Sequence, residues 1–242
     1  MSTIDIIIIF LLIIGAFLGY RKGALRSIIS LIGLITVFVL SYSLKNILTK
    51  YFYTNFPFFD FKGYIKGASV LNIFFYEILA FVLTSIILLA LLSVIGKLSG
   101  LLQKVLDGTV ILGLFSRLVG AVVGTLEIYM IIFTCLYILN FPVFTSNILE
   151  NSYFSNKILY KTPLINNILS KSNTAIEEVK SLKTMYKETK DVDKFNYESL
   201  NILLKYEIIT KDSVEILVDN NKLHIKDIDK LLENYESEVN ND

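Results

Sequence analysis

Few side chains in this sequence have the type and spacing for chemistry, and their neighbours argue against most of them. The single histidine, His224, lies far along the chain from the single cysteine, Cys135, so no His/Cys ligand set of the kind that holds zinc can form around either. One thiol cannot make an internal disulfide, and the position of Cys135 inside the apolar run Tyr129–Leu139 reads as a buried, inert thiol. The paired carboxylates Glu177-Glu178, Asp191/Asp193 and Asp227/Asp229 stand among lysines, where they read as solvated surface charge. A catalytic triad needs a histidine and a scaffold to align it. No Gly-x-Ser-x-Gly elbow, P-loop or dinucleotide-binding glycine pattern accompanies His224. The expectation is no catalytic residue, no metal, no cofactor and no nucleic-acid partner.

Glu127 is the exception. It lies inside the long apolar run Leu118–Leu139, where a carboxylate is costly and ordinarily faces a partner or a water-filled path. It is therefore a candidate intramembrane polar site: a proton or ion position, or a polar contact that holds an assembly together. Without such a role it sits shallower, or is protonated and bonded to a hydroxyl. Arg117, ten residues earlier and about 15 Å away along a helix, cannot simply neutralise it.

The elements that must carry these residues are membrane spans. The chain is 54% hydrophobic and 19% charged, with a mean hydropathy of +0.60, against about 45–50% and 25% for soluble domains. The averages conceal a division. Residues 1–140 hold ten Lys/Arg against five Asp/Glu, whereas residues 141–242 hold thirteen Lys against seventeen Asp/Glu. Four apolar runs occupy the basic part: Ile4–Tyr20, Ala24–Leu44, Ile78–Ile95 and a fourth within Leu118–Leu139, stopped by Pro142. Each has about the 17 to 25 residues that a span requires. Backbone groups in hydrocarbon must be satisfied internally, so the spans are helices. The first could be a cleavable signal peptide, but Asp5 is the only charged side chain before its apolar core and another span follows. It reads as a retained helix.

Between the second and third spans, Lys45–Tyr76 is rich in aromatics, with Tyr51-Phe52-Tyr53 and Phe56-Pro57-Phe58-Phe59 among them. It reads as a loop lying along the membrane surface, or as an aromatic plug against the bundle. Gly96–Gly113 has the spacing of an amphipathic helix on the membrane face. Arg21, Lys22 and Arg26 crowd the first turn, and Lys97, Lys104 and Arg117 the third connection. Arg21, Lys22 and Arg117 read as topology determinants and lipid-headgroup contacts. Short Lys/Arg-rich loops stay in the cytoplasm, which puts both termini outside. After Pro142 the chain turns polar yet stays patterned. Ser199–Tyr206, Ser213–Val218 and Asp227–Tyr235 predict short helices, with Asp212 or Ser213 as an N-cap. They form either a small module or flexible helices, with the last residues frayed.

Two glycine blocks complete the pattern. Gly15 and Gly19 share a helix face, with Gly23 in the following turn, and Gly120 and Gly124 repeat the spacing in the fourth span. Small residues four apart let a neighbouring backbone approach closely. An early Asp5 in an apolar run, followed by Gly15-xxx-Gly19-Tyr20-Arg21-Lys22-Gly23 between two hydrophobic helices, resembles the colicin V production protein (CvpA) family. Arg117-Leu-Val-Gly120-Ala-Val-Val-Gly124 resembles that family's second glycine block, and Glu127 departs from it, since nearby family positions tend to be small or basic.

The resemblance covers about residues 1–140 or somewhat beyond. It implies a four-span protein of the cytoplasmic membrane linked in some bacteria to toxin production or export, with no settled activity. In some relatives the bundle anchors an extracytoplasmic serine protease, which this tail lacks the residues to form. The expected architecture is an all-α integral membrane bundle of about four transmembrane helices, residues 1–142, with a polar, partly helical extracytoplasmic tail, residues 143–242. The expected partners are the lipid bilayer and a second copy or other envelope proteins. The functions in view are toxin export or envelope function, a scaffold whose tail recruits a partner, or a small transporter using Glu127.

Overall fold

The computed structural model describes residues 2–59, 68–98, 113–144, 149, 151–162, 165–189 and 191–239. The amphipathic helix expected over Gly96–Gly113 lies largely outside them, as do residues 60–67 of the aromatic segment. Among the described residues every regular element is an α-helix: α1 (Thr3–Lys22), α2 (Ala24–Asn55), α3 (Val70–Leu98), α4 (Gly113–Leu139), α5 (Tyr153–Lys161), α6 (Ile165–Thr189), α7 (Val192–Lys205), α8 (Lys211–Asp219) and α9 (Ile228–Val239). The first four are long and apolar enough to cross a membrane.

The helices pack into two units that interleave along the chain. One comprises residues 1–45, 81–139 and 146–161; the other comprises residues 46–80, 140–145 and 162–242. A single cut at residue 142 therefore does not separate them. The structure departs here from the sequence reading. Most of the segment 45–76 is not a surface loop: α2 continues to Asn55 and α3 begins at Val70. A 32-residue helix is about 48 Å long at 1.5 Å per residue, well beyond the roughly 30 Å of hydrocarbon. One face of the surplus turns, Thr49, Phe52 and Tyr53, is buried against protein, while Ile47 and Tyr51 are exposed.

In the first unit, α1 opens on Ser2, whose Oγ accepts from the Ile4 N–H at 3.2 Å while Asp5 accepts from the Ser2 N–H at 2.9 Å. These bonds satisfy orphan donors at the helix start. Its outer face is bare apolar surface, with Phe10 and Ile13 each 62% exposed, as expected of a face solvated by lipid. Gly23, at φ +81°, is the whole connection to α2. Its N–H donates to the Gly19 carbonyl at 2.9 Å. Phe38, Phe81 and Phe133 meet edge to face, joining α2, α3 and α4. Cys135 is exposed on α4. Its neighbours Ile132, Phe133, Leu136 and Tyr137 are buried in protein, but Cys135 itself lies on the opposite, outward side of the helix, which corrects the sequence reading.

In the second unit, Tyr53 from the end of α2 and Val70, Ile73 and Phe74 from the start of α3 are fully buried. Within the same unit Leu200, Leu203 and Leu204 of α7 and Val214 and Leu217 of α8 are fully buried as well. The C-terminal helices thus form a packed module. The cap of α8 is Thr210, which accepts from Ser213 N–H, rather than Asp212 or Ser213; the helix starts two residues earlier than its apolar pattern suggests. Both α7 and α8 end in a left-handed residue, Glu207 at φ 56° and Asn221 at φ 54°. After the second of these, the Lys222 ammonium donates to the Tyr53 and Thr54 carbonyls. Those are last-turn carbonyls of α2 that lack a partner within the helix. Burial pulls the Lys222 pKa below its ordinary range.

Candidate functional site

The site is the seam between α1 and α4, and it begins with the glycines. A Cβ at Gly19 would land on the carbonyl oxygen of Gly120 and come within 2.7 Å of the Gly124 Cα. One at Gly124 would sit 2.5 Å from the Gly15 oxygen, and one at Gly15 would sit 2.7 Å from the Ile128 side chain. The two glycine blocks therefore face each other with backbone against backbone, and the helices run antiparallel: Gly15 meets Gly124 and Ile128, while Gly19 meets Gly120. Gly23 continues the register, since a Cβ at Gly120 would come within 2.9 Å of its Cα. Next to it, Ala24 N–H donates to Ser116 Oγ at 3.2 Å.

Antiparallel register explains the charged pair beside the seam. Side chains on a helix lean toward its N-terminus. Lys22, at the end of α1, leans back along that helix; Glu127, in the middle of α4, leans toward the start of its own. In an antiparallel pair those directions converge. The Lys22 ammonium lies 3.1 Å from both carboxylate oxygens of Glu127, and Ser30 of α2 donates its hydroxyl to one of them at 2.7 Å. The Glu127 side chain is 15% exposed and that of Lys22 42%, so the lysine spans from the accessible end of the seam inward. Three helices are thereby joined at one carboxylate. Arg117 does not reach it; its guanidinium lies over the Tyr20 ring at 5.9 Å, and Arg21 lies over Phe17 at 5.8 Å.

Lys22 as a partner of Glu127 escaped the sequence reading, which assigned it to topology and headgroup contact. The available signal was the glycine register: once Gly19 faces Gly120, Lys22 and Glu127 lean together. Asp5 also has a role that reading left open. It is buried, accepting from Ser152 Oγ at 2.6 Å and from Phe154 N–H at 3.1 Å. Ser152 in turn accepts from the Ser155 N–H at 3.1 Å, as the cap of α5. One carboxylate thus fastens the start of α1 to the start of α5 across 147 residues of chain. No local pattern announces such a partner. Among the described residues no cluster of three or more His, Cys, Asp or Glu could hold a metal. The arrangement neutralises charge and locks helices together.

Glu127 is largely buried, so removing Lys22 strands its carboxylate, and single changes should cost more than the pair is worth. Glu127→Gln and Lys22→Met are each expected to lower unfolding stability in lipid nanodiscs. The double variant should lose less than the sum, leaving a coupling of about 0.5–3 kcal/mol. Strict additivity in that cycle would mean that the contact carries no energy.

Comparison with known proteins agrees with this architecture. No solved structure matches the chain. An uncharacterized transmembrane protein, YshB of Bacillus subtilis (strain 168), is 27% identical over 175 residues, covering 69% of this chain and 94% of the relative. The family described as colicin V production protein matches residues 4–163, which takes in the four spans, the Asp5–Ser152 link and α5. That match covers about two thirds of the sequence, and the chain belongs to the colicin V production protein family.

Proposed function

We propose that this protein is a non-catalytic scaffold of the cytoplasmic membrane, whose four spans hold a helical module that engages an envelope partner or a second copy. The observation that carries the reading is the pairing of Glu127 with Lys22 and Ser30 beside a seam closed backbone to backbone. Glu127, an acidic group in the middle of a span, is engaged in holding helices, and the glycine seam it borders is closed by backbone contact. A role in toxin production or export, the activity the family description names, would then be exercised through what the module binds. The transporter reading needs Glu127 on a path, which this geometry disfavours.

The basic cluster sets the orientation in this account. Arg21, Lys22, Arg26 and Arg117 belong to the cytoplasmic side, where the exposed arginines meet lipid phosphates, and both termini lie outside. In a Cys135→Ser background, Lys230→Cys should react with a membrane-impermeant maleimide in intact cells. Protection until the cells are opened would reverse the orientation. The purified chain in sealed vesicles should pass protons and monovalent cations no faster than empty vesicles do. A flux that Glu127→Gln abolishes, in a variant that still folds, would overturn the scaffold reading in favour of a transporter.

A further inference from the structure

The second unit leaves a ridge of aromatic rings uncovered where α2 ends. Tyr51 is 57% exposed, Phe56 41% and Phe59 49%. The rings are joined rather than scattered. Tyr51 lies 6.3 Å from Phe56, and Phe59 lies 5.5 Å from Phe75 of α3 and 6.3 Å from the buried Tyr76. The buried Phe52 links the two ends, with its ring 5.3 Å from Phe56 and 5.9 Å from Tyr76. The inner rings hold the outer ones in place, and a contiguous exposed apolar surface marks an interaction site.

Depth and chemistry together say what covers it. Leu40, Leu44, Ile47 and Tyr51 follow at i, i+4, i+7 and i+11 on α2 and are all exposed, so Tyr51 continues the outward row of a helix apolar enough to cross a membrane. Counted from Arg26 at one boundary, roughly 30 Å of hydrocarbon takes about 20 residues at 1.5 Å each and ends near Asn46. Tyr51 then stands about 7 Å farther out, at the depth of a headgroup layer about 5–7 Å thick. On α3, Phe75, against which Phe59 packs, comes three residues before the apolar run that opens at Ile78, about 4.5 Å outside the hydrocarbon. The charged side chains within residues 45–59 are two lysines, Lys45 and Lys50, with no acid. Aromatics collect at that depth, and lysine ammonium groups suit lipid phosphates.

We propose that the ridge of Tyr51, Phe56 and Phe59 is a membrane-interface anchor, seated among phospholipid headgroups at the end of α2. The two phenylalanine rings lie against glycerol and upper acyl carbons, and the Tyr51 ring does the same while its hydroxyl stays with water and phosphate. A protein partner on this ridge would itself have to enter the headgroup layer. The inference needs α2 to span the membrane. It holds for either orientation and does not depend on the scaffold reading.

The sequence contains no tryptophan, so a single introduced one reports its own surroundings. Tyr51→Trp and Phe59→Trp, each in the full chain in phosphatidylcholine nanodiscs, should emit at shorter wavelength than tryptophan in water and lose emission when the lipid is brominated. Bromines high on the acyl chain should quench both more than bromines near its end. Phe10→Trp, on the outer face of α1 near its middle, should show the opposite order. Circular dichroism identifies a variant that fails to fold, and Phe56→Trp then takes its place. Emission at the wavelength of water with quenching by iodide would put the ridge in solvent. Emission indifferent to both bromine and iodide would put it under protein, a second copy included. Either result, or quenching strongest from the chain end, would overturn the proposal.

Discussion

Everything in the membrane-spanning unit depends on how closely α1 and α4 can approach. With no hydrophobic drive between helices in lipid, association rests on van der Waals contact and on polar groups that find each other. Gly15 and Gly19 facing Gly120 and Gly124 remove the side chains that would hold the backbones apart. The register this imposes is antiparallel and fixed to within a residue, because a carbonyl oxygen occupies each place where a Cβ would stand. The left-handed Gly23 extends it into the turn, so α2 leaves the seam in a set direction.

The polar contacts follow from that register. Lys22 and Glu127 meet because antiparallel side chains lean toward one another, and Ser30 joins because Gly23 returns α2 at once. An unpaired carboxylate in hydrocarbon costs several kcal/mol by the lower estimates; here the charge becomes a cross-link between three helices. Asp5 repeats the device near the other end of α1, where a buried carboxylate supplies the cap of α5 with an acceptor. In both places acidic side chains that look isolated in sequence hold distant segments together.

The spans were legible because runs such as Ile6–Ile14 are apolar on every side, a composition that lipid alone accommodates. The glycine spacing, the family resemblance and the cost of Glu127 were equally plain. The ends of α2 and α3 were not. Tyr53, Phe74 and Tyr76 look like interfacial aromatics in sequence, but they are buried within a unit that also includes the chain beyond residue 162. Helical periodicity says which face of a segment is apolar and nothing about which remote segment covers it. The same limit hid Ser152 from Asp5, and it put Cys135 inside because its helix neighbours are buried although its own side faces outward.

The seam is tested most directly by adding one methyl group to it. Gly113, on the same helix as Gly120, has nothing within 4 Å of its would-be Cβ, so Gly113→Ala is the matched control and should be neutral or gain up to about 1 kcal/mol from helix propensity. Gly19→Ala, inside α1, has at least as large a propensity gain but drives a methyl into the Gly120 carbonyl. Overpacking of this kind costs about 1–3 kcal/mol. Equilibrium unfolding of the two variants beside the parent, in the same lipid, should show Gly19→Ala less stable and Gly113→Ala not. A Gly19→Ala protein as stable as the parent would contradict the close approach on which the account rests.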